Sequence, residues 1–257
     1  MAPPTSGAAN GSSGPPSGGA PTLGTPTIVT IDGIDGSGKS TFADGLAAGL
    51  AREGWATVTL RVDDFRRPLD WTAAAGGPAA EADLYYDDYY DLDLLQSCLR
   101  AFLARVPRVT IPVFDPATER LDGVRELRLD GGGSPAVAGG PGGPRAVAVV
   151  EGVFALRVPA AAAGLIVYID VPGGEARRRL MVRDLARGRR REIIEHRLAA
   201  RYLPAQARYQ RLFDPAGRAD VVVDNSRPGA PLCVRRALTR ADADLRAALD
   251  RLLPPAF

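Results

Sequence analysis

Residues 27–41 read TIVTIDGIDGSGKST. The first five are all β-branched, too short a run for a helix, and read as a buried strand. After Asp32, the eight residues Gly33–Ser40 fit the pattern G-x-x-x-x-G-K-[ST] without mismatch. From Lys39 a helix is expected to run to about Glu53, where Gly54 ends it. Strand, glycine loop and helix in that order make an anion site. Glycines let successive backbone N–H groups curl inward, and the helix start adds its positive dipole end. Gly33, Ile34, Asp35, Gly36, Ser37, Gly38, Lys39, Ser40 and Thr41 are therefore expected to cradle the phosphates of a nucleoside triphosphate. In that arrangement Lys39 reaches the β- and γ-phosphates and the Ser40 hydroxyl faces Mg²⁺.

A count supports Lys39. The chain has 32 basic residues, and Lys39 is the only lysine among them. Everywhere else a positive charge is arginine, a planar fork. Position 39 alone takes the compact ammonium.

Outward from this loop, apolar strands alternate with amphipathic segments. Ala56–Val62, Ala146–Val150, Leu165–Val171 and Ala219–Asp224 read as further strands. Helical patterns cover Leu84 to about Val106, Gly174 to about Phe213 with a break near Gly188, and Pro231 to Leu253. Val109–Phe114 is extended, and Leu121-Asp122-Gly123 reads as the turn of a β-hairpin over Glu119–Asp130. The expected fold is α/β, a three-layer sandwich of the P-loop NTPase type with a five-stranded parallel sheet, a β-hairpin and an Arg-rich lid. Residues 1–26 and 131–144 are dominated by Gly, Pro, Ser and Ala. The first is read as a disordered tail and the second as a flexible insertion within one domain over 27–257.

Composition narrows the function classes. The net charge is +2, so nothing points to nucleic acid or a membrane surface. No apolar run reaches about 18 residues, and no signal peptide is visible. Cys98 and Cys233 lack metal-ligand spacing, and a reducing cytoplasm is the expected location.

In an open parallel sheet, chemistry gathers at the carboxyl ends of the strands. Asp63 and Asp64 follow one strand there, and Glu151 follows another. A carboxylate is needed near an acceptor hydroxyl to take its proton, which suits Asp63. Carboxylate charge is also needed around Mg²⁺, which suits Glu151. Ser40, Asp63 and Glu151 form the expected metal-side set. Between Glu175 and Arg191 the sequence concentrates arginine, and Arg183 and Arg187 share a helix face. With Arg189 they are expected to close over the triphosphate and meet the charge that develops on the transferring group. His196, the only histidine, reads as a surface or packing residue.

With these residues in place, the chain resembles the uridine kinase family, within the group that includes phosphoribulokinase and nicotinamide riboside kinase. The resemblance spans roughly residues 27–225. Gly33–Ser40 resembles the family's phosphate loop, and Val62-Asp63-Asp64-Phe65 its D-[SD]-F motif. Ile111-Pro112-Val113-Phe114-Asp115 resembles I-P-x-Y-D, and Val150-Glu151-Gly152 the E-G strand end. Arg183-Asp184 with Arg187-Gly188-Arg189 resembles the lid R-D-x-x-x-R-G-R, one residue shorter. The resemblance implies an ATP-dependent kinase with Mg²⁺, in which Asp63 is the base. Phe114 departs from the family's tyrosine, and Glu119 stands near where the family has a histidine. The acceptor pocket is therefore expected to be altered. The cluster Tyr85-Tyr86-Asp87-Asp88-Tyr89-Tyr90 lies where the family binds its sugar. Tyr86, Asp88 and Phe114 are carried as acceptor-side positions, with the choice within the cluster left open.

The acceptor implied is a uridine- or cytidine-like nucleoside. Nicotinamide riboside, pantothenate or a nucleotide such as dTMP stays open, because Gly33–Thr41 also resembles the loop of thymidylate kinase. A nucleotide-binding module without turnover stays open as well, as do the oligomeric state and the choice between ATP and GTP.

Overall fold

The computed structural model describes residues 25–71, 77–115, 118, 120–130 and 145–255. Residues 1–24, the Gly/Pro insertion 131–144 and Glu119 lie outside the described residues, as do the readings made on them.

Strand β1 (Thr27–Asp32) enters the phosphate loop, and α1 (Lys39–Arg52) leaves it. Then come β2 (Ala56–Arg61), a 3₁₀ turn at Val62–Phe65, α2 (Pro78–Asp87) and α3 (Leu92–Leu103). The hairpin is β3 (Arg108–Asp115) with β4 (Arg120–Arg128). Next are β5 (Ala146–Glu151), the short α4 (Pro159–Ala163), β6 (Leu165–Asp170) and α5 (Gly173–Ala186). Helix α6 (Arg191–Arg197) continues through a π-helical turn, Leu198–Tyr202, into α7 (Leu203–Phe213). The chain closes with α8 (Pro215–Arg218), β7 (Val221–Asp224), β8 (Leu232–Arg236) and α9 (Ala243–Leu252).

The central sheet has the order β2-β5-β1-β6-β7-β8. Its first five strands are parallel, as the sequence predicts, and β8 adds an antiparallel edge. Alternation along the strands builds both faces. Val29, Ile31, Val147 and Val149 pack with Leu46 and Leu50 of α1 and Leu245 and Leu249 of α9. Ile28, Ala148 and Val150 pack on the other face with Leu95, Leu99, Phe154 and Tyr209. Both layers bury their strands almost completely, which is why these segments are apolar on both faces.

Three elements differ from the sequence reading. The segment from Pro231 is not one helix: Leu232–Arg236 pairs with β7, and the helix begins only at Ala243, where Asp242 accepts from Leu245 N at 2.8 Å. The expected helix from Leu84 to Val106 is two. Asp91 breaks it by donating its backbone N–H to Phe65 O (2.7 Å) while its side chain caps α3 through Leu94 N (2.9 Å). The hairpin exists, but Leu121-Asp122-Gly123 is not its turn. Those residues lie inside β4, opposite an irregularity between Pro112 and Phe114, and Val109–Phe114 is the partner strand. A glycine at a β-bulge gives the same local signal as a glycine in a turn.

Candidate functional site

The phosphate loop is shaped by backbone that side chains would obstruct. Gly36 has φ +82°, and a Cβ there would sit 2.5 Å from Ala176 O of α5. Gly38 has φ +96° and caps α1 with no side-chain bond, so the first N–H groups of the helix are left for an anion. Asn225 follows β7 and donates from its side chain to Ser37 O at 2.7 Å. Lys39 is buried, with its ammonium on Ile34 O at 3.0 Å and 3.6 Å from Asp35 Oδ1.

Beneath the loop, Asp32 is fully buried at the end of β1. One oxygen accepts from Gly33 N at 2.6 Å, and the other accepts from the Tyr209 hydroxyl of α7. Burial raises its carboxyl to about 6, although these bonds and the Lys39 charge favour ionisation. Tyr209 also accepts from Leu156 N at 3.1 Å.

Glu151 ends β5 and is also buried. Burial raises its pKa, while Lys39 and a hydrogen bond from the Ser40 hydroxyl act the other way. Arg61 of β2 lies 3.6 Å from it. Asp63 stands one strand away, in the 3₁₀ turn after β2. Tyr90 donates to it at 3.2 Å, and Arg66 forms an ion pair with it.

Strand ends and lid meet in one cavity of about 390 Å³. Lys39, Ser40, Thr41, Asp63, Glu151, Arg183 and Arg187 all line it. Most of the residues that the sequence assigned to phosphate and metal chemistry are thus brought together. Arg189 is placed differently: it does not line the cavity, because its guanidinium binds Asp184 at 2.7 Å. Arg183 bonds the other oxygen of the same buried carboxylate at 2.8 Å.

Among the described residues, no cluster of three or more His, Cys, Asp or Glu side chains could cage a metal. A hydroxyl beside one or two carboxylates still fits Mg²⁺. That ion prefers oxygen ligands, keeps several waters and arrives with phosphates rather than in an all-protein cage.

On the acceptor side, two of the expected positions lie outside this cavity. The Tyr86 ring is held between the Arg157 and Arg208 guanidiniums, each 4.1 Å from its centroid, and does not reach the cavity. Asp88 is exposed and also outside it. Phe114 lies outside it too, packed against Arg66, the ion-pair partner of Asp63, 5.9 Å above its ring, with Tyr89 6.3 Å away. Beside them stand two other tyrosines of the expected cluster and two arginines, Arg66 and Arg201, that sequence reasoning passed over. Tyr85 and Tyr90 share a hydroxyl contact at 3.2 Å, and Arg201 stacks on Trp71 at 3.6 Å. Arg66 had a signal, since it lies three residues after Asp63. Arg201 had none, because it comes from the far side of the lid. His196, read as a surface residue, pairs with Glu81 at 3.0 Å.

Comparison with known proteins bears on the fold and the family. The model of the phosphoribulokinase/uridine kinase family matches residues 28–228. A solved structure described as a "possible uridine kinase" from Bacillus stearothermophilus superposes with a TM-score of 0.53. Its identity is 23%, over 79% of this chain and 89% of that one. Phosphoribulokinase from Rhodobacter spheroides gives a TM-score of 0.55 at 15% identity, over 88% of this chain and 85% of that one. At such identities the two structures share the fold with this chain. No helix among the described residues is long and apolar enough to cross a membrane.

Proposed function

Because this chain belongs to the phosphoribulokinase/uridine kinase family, we propose that it transfers the γ-phosphoryl of ATP to a hydroxyl of a small molecule. The single observation that carries the reading is the shared cavity: the phosphate-loop ammonium, two strand-end carboxylates and two lid arginines face one space. Phosphoryl transfer needs little covalent help from a protein. It needs alignment and charge compensation, and these groups supply both.

Each group then has a role. Backbone N–H groups of Gly36–Ser40 bind phosphate oxygens, and Lys39 leaves Ile34 O for the β- and γ-phosphates. Ser40 and Glu151, with Asp63 at the edge, would hold Mg²⁺, which shields charge on the phosphate oxygens when bound. Asp63 accepts the proton of the acceptor hydroxyl, with Tyr90 fixing the rotation of its carboxylate. Arg183 and Arg187 meet the charge that builds on the transferring group. Arg189 acts through Asp184.

The acceptor is a nucleoside or another small polyol. Phe114 offers a ring face but no hydroxyl, so a nucleobase edge would find fewer polar partners here. A pocket built to hydrogen-bond its ligand discriminates far more strongly than an apolar one, and a broad acceptor range is the expected consequence. The base of the nucleotide fits a second space of about 730 Å³ beyond Thr41, between Phe42 and Leu46 of α1 and Asn225, Arg227 and Pro231.

The test is acceptor-dependent ADP release from ATP and Mg²⁺ across nucleosides, ribosides, sugar phosphates and pantothenate. Release with at least one acceptor is expected. Nucleotide binding with no release across the panel would favour a module without turnover.

A further inference from the structure

Asp35 is an acidic side chain within the phosphate loop. It carries a negative charge on the wall of the cavity that holds Lys39 and the lid arginines, where the phosphates are expected. Its Oδ1 lies 3.6 Å from the Lys39 ammonium. A triphosphate must draw that ammonium to its own oxygens. The Asp35 carboxylate is then left without its cation, beside a ligand of the same sign.

The structure shows what restrains it. Gln206 of α7 is buried, 5% exposed, and makes a reciprocal pair with Asp35. Its Nε2 donates to Asp35 Oδ2 at 2.9 Å, and its Oε1 accepts from Asp35 N at 3.1 Å. The buried Tyr85 hydroxyl adds a longer contact to the same Oδ2 at 3.5 Å. One amide therefore fixes both the backbone and the side chain of this loop residue. Tyr209, nearly one turn further along α7, holds Asp32 at the other end of the loop's entry. The same helix continues, through the π-helical turn Leu198–Tyr202, from α6, which follows the lid arginines.

We propose that Gln206 is a positioning residue for the nucleotide, holding the Asp35 carboxylate turned away from the terminal phosphate and tying the loop to the helix behind the lid. This rests on the phosphate loop holding a nucleoside triphosphate, and it requires nothing of the acceptor. Asp35 shares its cavity with Arg183 and Arg187, the end where the third phosphate adds charge. Freeing the carboxylate therefore penalises ATP more than ADP.

The test is direct binding of ATP and ADP to the full chain, with no acceptor present. Gln206→Leu is expected to weaken ATP about tenfold and ADP by about threefold or less. In the Asp35→Asn background, the same Gln206→Leu change is expected to alter ATP affinity by less than about twofold, because the charge it controlled is gone. A purely packing role would lower ATP and ADP alike, with equal loss in both backgrounds, and either result overturns the proposal. If Gln206→Leu fails to fold, Gln206→Glu keeps the size and faces Asp35 with a second carboxylate. Its ATP loss must then be relieved by Asp35→Asn, and a loss that persists sinks the idea. A wild-type chain whose melting temperature ATP and ADP both leave unmoved would defeat the phosphate-loop reading itself, a result distinct from any of these.

Discussion

The two sides of the cavity are built by different means. On the donor side, glycines without room for a Cβ and a helix start without a side-chain cap set the shape, and Asn225, Gln206 and Tyr209 brace it from outside. The groups proposed to meet the nucleotide there are largely backbone N–H. On the proposed acceptor side they are side chains gathered from distant segments. Asp63 is more than half exposed and is ion-paired to Arg66, while the hairpin is tied down by Arg125 on Asp64 at 2.7 Å. A backbone site is costly to alter, because its geometry forbids most substitutions. A side-chain site can be rewritten residue by residue, so one family can keep its donor and change its acceptor.

The largest effects should separate the two sides. Asp63→Asn is expected to lower kcat by about 10²–10⁴ while leaving ATP affinity nearly unchanged, since it removes the proposed base and leaves the loop alone. Lys39→Ala is expected to lower turnover by about 10²–10³ and to weaken ATP binding as well. Steady-state kinetics paired with direct ATP binding would show the crossing. If Asp63→Asn lost ATP as severely as Lys39→Ala does, the division into two sides would fail.

The same division explains what was legible. Gly33–Ser40 could be read from spacing alone, because a curled backbone leaves its constraint in the sequence as glycines at fixed offsets. The five parallel strands were legible because burial on both faces makes them apolar throughout. Asp63 and Glu151 followed from the strand ends. The choice within the cluster around Tyr86 stayed open because periodicity does not say which ring faces inward. Tyr86 is buried by two arginines, Arg157 and Arg208, from helices or turns far along the chain. Gln206 and Tyr209 were invisible for the same reason. Their partners lie more than 170 residues away. Strand β8 was missed because an edge strand exposes one side and carries arginines, Arg235 and Arg236, that suit a helix equally well.

A second prediction sharpens the picture of the braced donor side. Burial sets the Asp32 carboxyl at about 6 in the folded chain, above its ordinary value of 3.8. The folded state thus holds this proton more tightly than the unfolded state. The wild type bears no cost from Asp32 below about pH 4, loses stability as pH rises to about 6, and levels off above that. Asp32→Asn does not ionise, so it should gain on the wild type across that window by about 1–3 kcal/mol. Denaturant unfolding of both chains from pH 4 to pH 8 measures the gap. A gap independent of pH would mean that Asp32 does not change its charge there.

The smallest effect tests the boundary between contact and support in the lid. Arg183 and Arg187 line the cavity, whereas Arg189 binds the buried Asp184 that also holds Arg183. Removing Arg189 leaves one Asp184 oxygen without its guanidinium but keeps Arg183 in place through the other. Arg189→Ala should therefore cost about tenfold in kcat, near the low end for one charge-assisted hydrogen bond. Arg187→Ala should cost clearly more, because a group on the transferring phosphoryl is lost outright. Asp184→Asn separates the routes further: it should cost at least as much as Arg189→Ala, since it loosens Arg183 as well, and adding Arg189→Ala to it should cost little more. Equal losses for Arg189→Ala and Arg187→Ala would place Arg189 on the phosphates in the closed lid. The support would then have become a contact, and the lid would join the donor side as a third arm with direct reach to the reacting group.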